Sequence, residues 1–307
     1  MADLAVAILL ATLAAGTPLV LAALGELVTE RTGVLNLGVE GMMLVGAATG
    51  FAAAAETHSM LAAAVAGSLA GAALAALFAF VTLVCRASQV ASGLALTILG
   101  IGLSALIGAG YTGVALPADI GALPAWLTTV PGLGPVLAAI EPFTALSVAL
   151  AVGVWWFLAR TRSGLILRAV GDAPQSAVAA GYRVGAIRCA AVLFGGAMAG
   201  LAGVYLSVVY TPVWVENMTA GRGWIAIALV VFASWSPLRV LAGAYLFGGI
   251  TILQFHLQGA GLGLPTQVFS MLPYLATIVV LVVVSSTAVR TRLRAPASLG
   301  GPLGGEG

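Results

Sequence analysis

The sequence predicts an all-α fold, a polytopic membrane helix bundle of about 8–10 spans with discontinuous helices and one short cytoplasmic helix. Three observations carry this. The 307 residues are 61% hydrophobic and only 7% charged, where a soluble domain carries about 25% charged residues. Apolar runs near 20 residues recur along the chain, the length a helix needs to cross the hydrocarbon core. Short Gly- and Pro-bounded apolar stretches interrupt this pattern in both halves.

Taken in order, runs of spanning length lie near 4–24, 34–55, 60–84, 90–110, 143–160, 189–210, 238–258 and 267–289, with a shorter one at 223–235. The first has no basic region ahead of it and carries Asp3, so it reads as a span rather than a cleaved leader. Arg160, Arg162, Arg168, Arg183 and Arg188 cluster in one loop, Arg290, Arg292 and Arg294 follow the last run, and Arg86 separates two others. The positive-inside bias places these groups, and the C-terminus, in the cytoplasm. Nine uninterrupted crossings would place the N-terminus outside; a broken helix around 25–40 would reverse that. Residues 1–289 form the membrane domain, and the Gly- and Pro-rich 290–307 is expected as a disordered tail. The pairs Gly46/Gly50, Gly67/Gly71 and Gly196/Gly200 permit close helix approach.

All 12 basic residues are Arg. With no Lys, the chain lacks the phosphate-binding lysine of a P-loop ATPase and the amine of a Schiff-base enzyme, so any ATP it depends on is hydrolysed by another chain. Cys85, Cys189, His58 and His256 are scattered and show no ligand spacing. No metal site, catalytic residue or bound cofactor is expected.

Four segments carry polar chemistry. In "TERTGVLNLGVEGMM", residues 29–43, Glu26, Glu30 and Arg31 suit the interface, where charge is tolerated. Asn36 and Glu40 lie four apart, so they are expected to share a helix face, among Gly33, Gly38 and Gly41. A polar group inside a span costs a few kcal/mol, on the order of 2.5–3.5, and normally faces a partner or a cavity. Two readings follow: Glu40 holds helices together, or Asn36, Glu40, Gly38 and Gly41 line a translocation path. In "GRGWIAIALVVFASWSP", residues 221–237, Gly221 and Gly223 flank Arg222 ahead of a run stopped by Pro237. This is the pattern of a discontinuous helix whose free end faces substrate, and it adds Arg222 and Trp224 to the path; an ordinary short span with an interfacial Arg is the alternative.

In "RAVGDAPQSAVAAGYRVGAIR", residues 168–188, Asp172 is placed to cap a helix, with Pro174 in its first turn, Gln175 three residues after the cap, and Gly181 at its end. A helix of about two turns is unstable alone in water. It must dock on its own membrane domain or on a cytoplasmic partner, with Ala180 and neighbouring alanines as a close-packing surface. The loop 116–142 contains five prolines; Trp126 and Pro131 mark it as an outer docking surface or a membrane-surface segment.

These four segments, in this order over roughly residues 20 to 285, resemble the permease subunits of nucleoside-type ABC importers, within the superfamily that also moves branched-chain amino acids, ribose and other simple sugars. "ERTGVLNLGVEGMMLVGA" resembles the family's N-terminal signature, "RAVGDAPQSAVAAGYRV" its cytoplasmic coupling segment, "GRGWIAIALVVFASWSPLRVLAGAYLFGG" its Gly-Arg-Gly block and "LPAWLTTVPGLGPVL" its outer loop. The resemblance implies a multi-pass protein of the bacterial plasma membrane. It also implies an ABC ATPase docked under the 172–181 helix, a second permease subunit, identical or different, and an external substrate-binding lipoprotein. One departure stands out: Ala233, Ser234, Trp235 and Ser236 occupy the turn where related sequences carry Gly-Arg, and Arg239 is placed to substitute for the missing basic residue. A lone ion-coupled transporter using Glu40 is the alternative from another class.

Overall fold

The computed structural model describes residues 2–117, 120, 141–259, 265–284 and 295–301. Among these the chain is helical, and six helices are long and apolar enough to cross a membrane: 5–30, 60–84, 89–111, 142–160, 184–210 and 237–259. Leu61, Leu106, Ile98, Trp156 and Val282 point outward, as they do when the solvent is lipid and apolar side chains need no protein cover.

Helix α1 (Ala2–Glu30) contains Pro18, which lacks the N–H for the helix ladder. Beside it the Thr17 hydroxyl donates to Leu13 O at 2.8 Å and meets the Thr144 hydroxyl at 3.0 Å. From residue 15 to residue 30 every side chain of α1 is buried. The chain then breaks at 31–38, where Gly33 takes φ +86°, and resumes as α2 (Val39–Thr57). The apolar run at 34–55 therefore begins as a turn. Helices α3 (Met60–Ala79) and α4 (Gln89–Gly108) start at Ser59 and Ser88, whose hydroxyls accept the Ala62 and Ala91 amides. Next come α5 (Pro142–Arg160) and α6 (Arg162–Asp172); Thr161 caps the latter by accepting from Gly164 N at 3.0 Å.

After the short α7 (Pro174–Ala179), α8 (Val184–Val204) runs through the centre against α1, α2 and α3. Glycine makes that centre possible. A Cβ on Gly71 would collide with Gly196 O, one on Gly67 would stand 2.8 Å from Gly46 O, and one on Gly46 would collide with Gly200. The three GxxxG pairs thus meet one another within a single chain. Wide turns at 80–84 and 205–210 continue α3 and α8. The 11-residue α9 (Arg222–Phe232) packs on α1 and α2. Helix α10 (Pro237–Gly259) packs along α1, and α11 (Thr266–Ser270) and α12 (Leu272–Val284) follow.

Residues 295–301 make specific contacts, where the sequence suggests disorder. Ser298 donates from both its amide and its hydroxyl to Gly171 O, at 3.0 and 2.7 Å. Gln89 bridges the chain, accepting from Leu35 N at 2.6 Å and donating to Gly301 O at 2.8 Å. Gly33 leaves the space that the Ser298 hydroxyl fills. Within 295–301 a tight turn forms, with Leu299 N and Gly301 N donating to Pro296 O and Ser298 O at 3.2 and 3.1 Å and Gly300 at φ +71°.

Candidate functional site

Asn36 and Glu40 do not share a helix face. Asn36 lies in the turn before α2, and Glu40 in its first helical turn. The sequence spacing misleads because Gly38 is the cap, so the helical register starts only at Val39. Asn36 organises the break itself. Its amide donates to Glu26 Oε1 at 3.0 Å, its side-chain oxygen accepts from Gly38 N at 2.9 Å, and its Nδ2 approaches Met42 Sδ at 3.5 Å. Gly41 lets α2 approach α4: a Cβ there would stand 2.7 Å from Leu96 O.

Glu40 is buried, and its carboxylate reaches across to α9. Oε1 accepts from the Thr219 hydroxyl at 2.6 Å and Gly221 N at 2.8 Å; Oε2 accepts from Gly223 N at 2.6 Å. A helix start exposes unpaired N–H groups and a positive dipole end, and this carboxylate satisfies both. Gly221 holds φ +81°, and a Cβ on Gly223 would lie 2.6 Å from Glu40 Cα. The glycines flanking Arg222 are thus the condition for Glu40 to reach the helix end.

Arg222 turns away from Glu40. Its guanidinium donates to Met218 O and Thr219 O at 3.3 and 3.2 Å and lies 5.9 Å from the Tyr210 ring centre, within cation–π range. It borders a cavity of about 230 Å³ between α1, α9 and α10, with Thr251, Gln254, Phe247 and Phe255. The sequence reading did not single out these last four; their spacing of three to four along one apolar run was the available signal. Trp224 is on the outward side of α9, more than a third exposed.

Glu26 and Glu30 are buried and face the protein interior, and Arg31 is half-buried against Trp235. Glu30 Oε2 accepts from Trp235 Nε1 at 2.5 Å, Arg31 donates to Trp235 O at 2.6 Å, and the buried Arg188 donates from Nε to Thr32 O at 3.1 Å. The end of α1 carries these charges inward because it is a helix junction inside the protein. Trp235 is its anchor. Ser234 and Trp235 take φ +49° and +53°, and Trp235 N and Ser234 N donate back to Val230 O and Val231 O at 3.1 and 3.0 Å. This is a Schellman end with Ser in the position that favours Gly.

The 172–181 segment forms the short helix as expected, with a different start. Asp172 is the last residue of α6, Ala173 occupies the cap position of α7, and no side chain caps it. The predicted Asp172–Gln175 capping box is absent because α6 runs through Asp172 itself, leaving Ala173 alone between the two helices. Pro174 is the first helical residue, and Gly181 ends the helix at φ +84°. Gly181 N donates to Val178 O at 2.8 Å and Tyr182 N to Ala177 O at 3.0 Å, a complete Schellman motif. Helix α7 touches its own protein through Ala177, packed with Val170 and Val184. Gln175, Ser176, Val178, Ala179, Ala180 and Gly181 are exposed. Trp126 and Pro131 fall outside the described residues. Among the described residues, no three His, Cys, Asp or Glu side chains gather in a metal-holding group.

A family model described as branched-chain amino acid transport system / permease component matches residues 8–281. The chain is 41% identical to a putative glucose ABC transporter permease protein of Haloferax volcanii, over 96% of each chain. It is 35% identical to a guanosine ABC transporter permease protein of Bacillus subtilis, over 88% of this chain and 89% of the other. It is 29% identical to a nucleoside ABC transporter permease protein of Lactococcus lactis, over 89% and 90%. No solved structure matches the chain.

Proposed function

The chain belongs to the permease component family of branched-chain amino acid transport systems and is a multi-pass ABC importer permease, and from that premise we propose that it forms the translocation path of an ATP-driven nucleoside importer whose separate ATPase docks on α7. The observation that carries the coupling assignment is the exposure of α7. A six-residue helix has too few internal bonds to persist alone, yet this one is fixed at both ends, by Pro174 and by its Schellman turn, and buries only Ala177. Five exposed residues from Gln175 to Ala180, small apart from Gln175 and Val178, leave a shallow face suited to a partner's groove.

ATP is used by that partner, and no cofactor is assigned to this chain. A second permease subunit completes the pore, and a substrate-binding lipoprotein delivers solute on the opposite face. The Arg-bearing end, with the C-terminus, faces the cytoplasm of a bacterial cell. Movement of α7 passes through Val170 to α6, whose Gly171 contacts the 31–33 turn, and so reaches the α1–α2 break. The path runs beside α9: Arg222, Thr251 and Gln254 offer donors and acceptors to ribose hydroxyls, and Phe247 and Phe255 offer apolar faces to a base. Glu40, Asn36, Gly38 and Gly41 act on the path by fixing the break and the α9 start beside it. The guanosine and nucleoside permeases among the relatives support this substrate class. A simple sugar is the second reading, favoured by the 41% identity to a putative glucose permease; branched-chain amino acids come third.

The coupling assignment is tested by placing a cysteine at Ala179 in a chain with Cys85 and Cys189 replaced by Ser. A thiol-reactive crosslinker applied to the assembled transporter is expected to join Ala179→Cys to the ATPase subunit and to leave a cysteine at Leu61 unjoined. Equal capture from both positions, or none from Ala179→Cys, rejects the assignment.

A further inference from the structure

Where α9 turns into α10, a second cavity of about 170 Å³ opens among the ends of α1, α5, α6 and α10. Arg31, Arg168 and Arg239 line it together with Trp155, Trp235 and Ser236, and no Asp or Glu lines it among the described residues. Arg31 holds its place by donating to Trp235 O. The Arg168 Nε is buried and has no hydrogen-bond partner among the described residues. The 23-residue α10 starts at Pro237 on the cavity wall, directing its positive dipole end there, while the Arg239 and Val240 amides donate to Ser236 O at 3.0 Å each.

Arg168 and Arg239 bring two guanidinium groups to this space, and the forked donors of a guanidinium match an oxyanion in geometry as well as charge. A buried donor without an acceptor costs about 1–3 kcal/mol, more for a charged group. We propose that this cavity is a phosphate-binding site in which Arg168 and Arg239 hold one phosphate group beside Arg31 and the start of α10.

The same chemistry is presented by inorganic phosphate and by the headgroup of an anionic phospholipid. The surroundings fit the headgroup. Trp155 borders the cavity and the neighbouring Trp156 faces outward, as indole rings do at headgroup depth. The outward apolar side chains of α5, Val148 and Val152 among them, give acyl chains a surface to follow. Basic pockets between membrane helices at the cytoplasmic side are suited to such headgroups. The site is separate from the Arg222 cavity and does not depend on which solute is carried.

The test follows thermal unfolding of the purified full-length permease in neutral detergent by tryptophan fluorescence. The probes are inorganic phosphate, a short-chain phosphatidylglycerol and a phosphatidylcholine of equal chain length. Wild type and the remote control Arg86→Gln are expected to unfold at higher temperature with the phosphatidylglycerol, and not with the phosphatidylcholine. In Arg239→Gln and Arg168→Gln the apparent affinity is expected to fall on the order of tenfold, as loss of one charge-assisted bond predicts. A response to phosphatidylglycerol alone identifies a lipid site; a response to inorganic phosphate as well identifies a site for the free anion. No anion-specific shift in wild type, or the same shift in all four proteins, overturns the proposal. Arg239 is exposed, so Arg239→Gln keeps the test available even where Arg168→Gln does not fold.

Discussion

The Glu40 carboxylate accepts the Gly223 amide at 2.6 Å across 183 residues of sequence, tying the first turn of α2 to the first turn of α9. With Thr219 and Gly221 it is engaged by three donors, so its charge is neutralised by a helix end rather than by a cation. Glu40→Gln keeps one acceptor and removes the charge. The expected loss is on the order of 2–4 kcal/mol of stability, from one unpaired buried N–H and the lost dipole interaction, together with reduced uptake. Thermal unfolding in detergent checks the first and vesicle uptake the second. Loss of uptake at unchanged stability would move Glu40 into direct contact with solute.

Gly223→Ala is expected to disrupt the same junction, since the added Cβ meets the Glu40 backbone at 2.6 Å. Gly153→Ala, on α5, meets nothing within 4 Å and gains up to about 1 kcal/mol of helix propensity. Comparing the unfolding temperatures of the two variants separates this specific approach from a general effect of adding a methyl group.

On α7, Ala180→Asp places a charge on the exposed face, and Gly181→Trp adds bulk at a φ of +84°. Both are expected to leave membrane insertion intact and to lower solute uptake per ATP hydrolysed several-fold. Ala177→Asp, by contrast, is expected to detach the helix from Val170 and Val184 and raise its protease sensitivity. Normal coupling in both exposed-face variants would remove α7 from the mechanism.

The tail contact is open to hydrogen exchange. Truncation after residue 294 deletes both Ser298 bonds to Gly171 and is expected to speed exchange across α6 and α7. Ser298→Ala, which loses only the hydroxyl bond, is expected to do so more weakly, at about 1 kcal/mol. Unchanged exchange in the truncated chain would show that residues 295–301 do not brace this region.

Much of this was legible in the sequence, unevenly. Hydropathy located the long helices, because each must bury about 20 residues in lipid or protein. Gly181, Pro174 and the Gly221/Gly223 pair were readable because their backbone roles are local. Asp172 was not: whether it ends one helix or starts the next depends on how far α6 persists, which packing of Val170 and Gly171 decides. Glu26, Glu30 and Arg188 looked peripheral because they sit at the ends of apolar runs. Their burial follows from the α1–α2 break folding inward onto Trp235, a contact across 205 residues that no local pattern announces. Gln254 and Thr251 lay inside an apolar run, and only the position of α9 gives them a cavity.

Transport itself is the most direct measurement. Vesicles holding the chain with the ATPase, second permease and binding lipoprotein proposed for it are loaded with ATP or with a non-hydrolysable analogue, and labelled guanosine or glucose is supplied outside. ATP-dependent accumulation of guanosine, abolished by the analogue and by Ala180→Asp, is the predicted result. Uptake of glucose alone would contradict the substrate, and uptake driven by an ion gradient without ATP would contradict the mechanism.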